Sequence, residues 1–99
     1  MSDSEQSLDR MLHAIADPTR RRILAVLKER GGCSIGKAVG LCASDIEARI
    51  HRSQPTISHH MAVLRRAGLV EAKKVGQWTW YRRNEARLRG LAARLKASL

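Results

Sequence analysis

Ser53-Gln54-Pro55-Thr56-Ile57-Ser58-His59-His60-Met61-Ala62-Val63-Leu64-Arg65-Arg66-Ala67-Gly68-Leu69-Val70 holds a helix start, an amphipathic body and a helix stop in one run. Ser53 offers a hydroxyl to the free N–H groups of the first turn. Pro55 falls early enough in that turn to cost no hydrogen bond, so the helix starts at Gln54. Ile57, Met61 and Leu64, with His60 beside them, recur at the spacing of one helical face; Gln54, Ser58, His59, Ala62 and Arg65 share the opposite one. Gly68 supplies the left-handed conformation that commonly ends a helix, which places the stop near Ala67 and opens an extended segment at Leu69. The outer face of an ordinary exposed helix carries Glu and Lys, whereas this one carries Gln, Ser, Thr and His. Such short hydrogen-bonding groups suit base edges in a DNA major groove, which is wide enough to admit a helix.

Upstream, Ser44-Asp45-Ile46-Glu47 fits a capping box and opens a short helix to about Ile50, with His51-Arg52 as the tight turn into Ser53. A short helix, a turn and a second helix with a polar outer face make a helix-turn-helix, the first helix bracing the second across the groove. Residues 31–40 hold four of the seven glycines and no period, and read as a loop. Before it, Asp17 caps and Pro18 opens a helix that buries Ile23, Val26 and Leu27 and ends near Glu29. Leu8, Met11, Leu12 and Ile15 mark a first amphipathic helix, stopped near Ala16 by the following Asp17-Pro18. Arg20-Arg21-Arg22 reads equally as a solvated face or as a phosphate contact. Residues 1–6 are polar, lack the basic and apolar regions of a secretory signal, and are expected to be a disordered tip of a cytoplasmic protein.

Downstream, Leu69 to Lys74, a turn at Val75-Gly76-Gln77, and Trp78 to Arg82 form a hairpin. Lys73, Lys74 and Gln77 near its tip stand where they could touch DNA backbone, although edge lysines also protect a strand against aggregation. Asn84 caps a last helix with an apolar stripe of Leu88, Leu91, Ala92, Leu95 and Leu99. The expected fold is mainly α with a β-hairpin (α+β): four helices, the hairpin, then a fifth helix, in a single domain spanning 1–99. If the second, third and fourth helices fill the core, the stripes of the first and last are free to meet a second copy. That puts Leu8, Met11, Leu12, Ile15, Leu88, Leu91 and Leu95 in a two-fold dimer interface.

The charge fits this reading. The chain has 19 Lys and Arg against 9 Asp and Glu, a net charge of +10. Residues 1–48 hold seven of each sign, so the whole excess lies in residues 49–99, with twelve basic residues against Glu71 and Glu85. A positive charge confined to one half points to a polyanion, with double-stranded DNA ahead of a membrane surface. No apolar run approaches a membrane span. No paired carboxylates, phosphate-cradling glycine loop or nucleophile with a plausible base suggests an enzyme, and no cofactor is expected. A basic nucleic-acid binder without sequence preference would explain the charge, but not the polar face of Gln54, Ser58 and His59.

Ala16-Asp17-Pro18-Thr19-Arg20-Arg21-Arg22-Ile23-Leu24, Ser53 to Met61, Ala67-Gly68-Leu69-Val70 and Gly76-Gln77-Trp78-Thr79-Trp80-Tyr81-Arg82, in that order, resemble the ArsR/SmtB family of bacterial winged-helix repressors. The resemblance runs from about Leu8 to Leu99. It implies a winged helix-turn-helix, a homodimer on a palindromic operator, and release by a metal, metalloid, oxidant or other small inducer. It also implies DNA contacts at Gln54, Ser58 and His59, to which the outward face adds Ser53, Thr56 and Arg65. Where arsenic-sensing members carry a Cys-x-Cys pair, this chain has Cys42-Ala43-Ser44, with Cys33 nine residues earlier in the loop. Cys33 and Cys42 are therefore either sensor thiols or ordinary small, partly buried residues. The last helix has no His and one carboxylate, Glu85, so the family's other metal site is not expected. Nor is a metal expected at His59-His60, since adjacent helical residues point about 100° apart.

Overall fold

The computed structural model describes residues 3–29 and 40–99. In chain order these form α1 (Asp3–Ile15), α2 (Pro18–Glu29), β1 (Leu41–Cys42), α3 (Ala43–Ile50), α4 (Gln54–Arg66), β2 (Val70–Val75), β3 (Trp78–Arg83) and α5 (Glu85–Ser98). The five expected helices and the hairpin are all present among the described residues. The first helix begins at Asp3, inside the stretch expected to be disordered, with Glu5 in its first turn, where an acidic residue suits the positive end of the helix dipole.

Strand β1 was not legible in the sequence, because two residues show no alternation. It exists through pairing: Leu41 faces Tyr81 and Cys42 faces Trp80, making an antiparallel sheet in the order β1-β3-β2. Gly40 makes the approach possible. Its φ is +110°, and a Cβ there would lie 1.9 Å from the Tyr81 carbonyl oxygen. Gly40→Ala is expected to cost about 1 to 3 kcal/mol through backbone strain alone, with any shift of β1 from β3 adding to it. Urea unfolding of the two proteins measures this, and equal midpoints would show that β1 does not need the glycine.

The helix boundaries follow from local chemistry, with two corrections. Asp17 Oδ2 accepts from the Arg20 backbone N–H at 3.0 Å, capping α2, and Asn84 Oδ1 accepts from Arg87 N–H at 3.0 Å, capping α5. Helix α3 begins one residue before Ser44. Its cap is Cys42, whose N–H and Sγ both donate to Asp45 Oδ2, at 3.4 and 3.1 Å, so the capping pair is Cys42 with Asp45 and not Ser44 with Glu47. Ser53 occupies the cap of α4 in extended conformation, but its Oγ pairs with Thr56 Oγ1 at 3.0 Å instead of with a backbone N–H. At the other end, Gly68 N–H donates to Arg65 O and Leu69 N–H to Leu64 O, the two bonds of a left-handed helix stop at Gly68, φ +76°.

The core is built of Ile23 and Leu27 from α2, Leu41, Ile46 and Ile50 from β1 and α3, Ile57, Met61 and Leu64 from α4, and Leu69. Two residues expected at the dimer seam also belong to it. Met11 and Leu91 are each only 3% exposed within one chain, because α1 lies across α2 and α4 and α5 closes the same cluster. The premise that α2, α3 and α4 alone fill the core is thereby corrected. Leu8, Leu12, Ile15, Leu88 and Leu95 are only partly covered, and Ala92 and Leu99 are exposed.

Candidate nucleic-acid interface

Helix α4 is anchored on one side and open on the other. Ile57, Met61 and Leu64 are buried, while Gln54, Ser58, His59 and Arg65 are exposed in the order the periodicity predicted. Ala62 and Thr56 are half-buried; Thr56, held by Ser53, borders the polar face and does not lead it. The left-handed His51, φ 60° and ψ 45°, ends α3 and redirects the chain into α4, so the two helices form the bend of a helix-turn-helix.

The two adjacent histidines diverge. His59 faces solvent; His60 turns inward, its side chain 12% exposed, and its Nδ1 accepts from Arg20 Nη1 at 3.0 Å. Arg20 is 6% exposed and donates through Nε to Ala14 O at 2.7 Å and through Nη2 to His13 O at 3.1 Å. It is thus neither a solvated nor a phosphate-binding member of its basic run, but ties the end of α1 to α4. Burial lowers the His60 pKa; Asp17, 4.0 Å from Nδ1, opposes that shift and the Arg20 charge reinforces it. The Asp17 carboxyl is held below the usual range mainly by the Arg20 backbone N–H. The pattern of apolar residues cannot disclose this cluster, because Arg20 reads as surface until its partners are known.

Strands β2 and β3 form the projecting hairpin, with Val75 opposite Trp78 and a two-residue turn at Gly76-Gln77. Gly76, φ +61°, occupies the first turn position, where a positive φ is needed. Lys73, Lys74 and Gln77 are exposed near the tip, the two lysines on opposite faces of the strand. Opposed Glu71 and Arg82 form an exposed ion pair at 3.0 Å, which neutralises the strand base and leaves the net positive charge toward the tip.

Sequence reading missed Trp78, which is 50% exposed at that tip. The signal was present: Trp78 and Trp80 lie two apart on one face of β3, and only Trp80 is close enough to the body to be buried. Trp78 and Gln77 form one wall of an open cleft of about 340 Å³, and Gln54 and Ser58 form the other, so hairpin and helix present one continuous surface.

Cys42 lies on the floor of that cleft and is itself buried, its thiol directed at Asp45 and 3.2 Å from Ser44 Oγ. Cys33 lies outside the described residues. Among the described residues no three His, Cys, Asp or Glu side chains converge as metal ligands would, and no helix is long and apolar enough to cross a membrane.

Known proteins share this geometry. Residues 15–72 match a family model described as a helix-turn-helix domain. The chain is 37% identical over 83 residues to the arsenical resistance operon repressor of Staphylococcus aureus, covering 84% of this chain and 71% of that one. It superposes on an ArsR-like transcriptional regulator from Rhodococcus sp. RHA1 with a TM-score of 0.77 at 28% identity, covering 97% of this chain and 82% of the other. The fold is also shared with the homodimeric winged helix-turn-helix DNA-binding domain Mb0332 of Mycobacterium bovis, TM-score 0.70 at 23% identity, covering 99% and 87% of the two chains.

Proposed function

Because the chain belongs to the ArsR/SmtB family of winged-helix, DNA-binding transcriptional regulators, we propose that it is a repressor that sits as a homodimer on a palindromic operator and leaves it when a small signal binds. The observation that carries this reading is the open face of α4. Gln54, Ser58 and His59 are exposed on a helix whose other side is locked into the core, and such a helix enters a major groove without rearrangement. Gln54 and His59 are the candidate base readers, with Ser58 beside them, while Ser53, Thr56 and Arg65 position the helix against phosphates.

The hairpin is the wing. Lys73, Lys74 and Gln77 take the adjoining backbone, and Trp78 supplies an apolar surface for sugar or base edges. Replacing Lys73 and Lys74 together by Ala is expected to weaken binding to all duplexes alike and to flatten the salt dependence by up to about two units per protomer, since each lysine neutralises one phosphate. A titration of binding against salt measures this, and an unchanged slope would remove the wing tip from the interface.

Dimerisation uses what the core leaves uncovered: Leu8, Leu12 and Ile15 on α1 with Leu88 and Leu95 on α5. These residues form apolar stripes on the two terminal helices, and the homodimeric fold relative supports their pairing with a second copy. Two-fold symmetry then sets two reading helices about 34 Å apart, one helical turn of DNA, which is why a palindrome is expected. Selection of duplexes from a random pool tests the reading, and enrichment of an inverted repeat is the expected outcome. Screening arsenite, divalent metals, peroxide and persulfide for release from the enriched duplex then identifies the signal. A pool that remains random would overturn the proposal.

A further inference from the structure

Among the described residues, the buried polar cluster that the DNA-reading face does not use is Arg20 with His60, and it joins three elements at one point. Arg20 projects from α2, its Nε and Nη2 hold the last carbonyls of α1 at Ala14 and His13, and its Nη1 reaches His60 on α4 at 3.0 Å. The residue next to His60 is His59, on the DNA face. The cluster therefore links the end of the proposed dimer helix to the middle of the reading helix by two hydrogen bonds in series.

Guanidinium is a donor at every nitrogen and accepts nothing, so His60 Nδ1 must be the acceptor and the ring proton must sit on Nε2. Protonation of Nδ1 would replace the acceptor by a donor and set two cations 3.0 Å apart. We propose that Arg20 and His60 are a positioning pair that fixes the set of α4 against α1, and that the pair holds only while the His60 imidazole is neutral, so that acidification loosens the reading helix and erodes sequence preference. This inference rests on the repressor reading above.

The charged neighbours of His60 set its proton balance. Asp17, from the turn between α1 and α2, lies 4.0 Å from Nδ1 and eases protonation; Arg20 from α2, Arg52 from the turn before α4 and His59 along α4 oppose it. From α1 the cluster receives backbone carbonyls, which engage Arg20 and leave His60 as its remaining partner. Burial already holds the His60 pKa below its ordinary value, so the pair is intact at neutral pH and is lost as pH falls through that lowered pKa. Positive charge gained elsewhere on the protein strengthens attraction to every duplex alike, so the quantity to read is the ratio of affinities for selected and random duplexes.

The test uses the full chain and the duplex enriched from a random pool at pH 7.5. Fluorescence anisotropy at fixed salt gives the affinity ratio from pH 7.5 to 5.5, and the histidine Cε1–H resonances give the His60 pKa in protein bound to the selected and to the random duplex. The ratio is expected to fall by about threefold or more, within the limit of about a hundredfold per pH unit that two linked protons, one per protomer, set for the homodimer. The His60 pKa should be lower in the complex with the selected duplex than in the complex with the random one, as reciprocity requires. His60→Asn carries an acceptor near the Nδ1 position and does not titrate, so its ratio should stay flat. Arg20→Lys cannot serve both carbonyls and the imidazole, and should lose preference already at pH 7.5. A ratio independent of pH in the wild type, a fall that persists in His60→Asn, or an equal His60 pKa in the two complexes would overturn the positioning pair while leaving the repressor reading intact. If His60→Asn does not fold, the two pKa values of the wild type decide the matter. Failure of the pool to enrich any duplex would overturn the repressor reading, and the pair with it.

Discussion

Leu91→Asp is expected to destabilise the protomer by about 3 to 5 kcal/mol, the usual cost of an uncompensated buried charge. Leu91 is the buried member of the α5 stripe, 3% exposed in the single chain, within the cluster that contains Met11, Ile23 and Leu64. A carboxylate there loses its water and gains no partner. Domains have about 5 to 15 kcal/mol of stability in total, and a 99-residue chain lies toward the low end, so much of the population should unfold. Leu95→Asp is the informative contrast. Leu95 lies one turn further along the same stripe and is only partly covered, so its replacement should leave the fold cooperative and separate the dimer. Far-UV circular dichroism with urea, and sedimentation of the same samples, distinguish the two effects. A Leu91→Asp protein as stable as wild type would remove α5 from the core, and a Leu95→Asp protein that remains dimeric would remove it from the interface.

Gln54→Ala and His59→Ala are each expected to cost about 1 to 3 kcal/mol on the selected duplex and little on a random one. Both side chains are exposed on α4, and no intramolecular hydrogen bond to them is needed to explain the fold, so truncation should spare stability while removing hydrogen-bonding groups from base edges. The two sites lie five residues apart, more than a helical turn, so their effects should nearly add in the double variant. Competition of labelled selected duplex against selected and random competitors separates specific from general affinity. Equal weakening on both duplexes would assign Gln54 and His59 to the backbone and not to the bases.

Much of this molecule was legible because its periodic elements are strongly marked. The α4 stripe of Ile57, Met61 and Leu64, the stop at Gly68, the Asp17-Pro18 start and the Asn84 cap each express a local rule that the packing does not overrule. What escaped depended on contacts between residues distant in sequence. Strand β1 is defined only by its pairing with Tyr81 and Trp80, and Arg20 is buried only because the end of α1 and His60 converge on it. The burial of Met11 and Leu91 inside the protomer escapes the sequence for a related reason. A stripe on a helix shows that a face is covered, but the covering surface is set by tertiary packing, which here divides each stripe between the protomer's own core and its outside. The α3 cap was displaced from Ser44 to Cys42 because β1 runs directly into the helix, leaving Cys42 as its last extended residue.

Competition at physiological salt between the selected duplex and random duplex decides whether α4 reads base sequence. A regulator whose Gln54, Ser58 and His59 address base edges should prefer its selected duplex by at least about a thousandfold. Comparable affinity for the two duplexes, with a steep salt dependence on both, would contradict it and leave a basic chain that binds nucleic acid by charge alone.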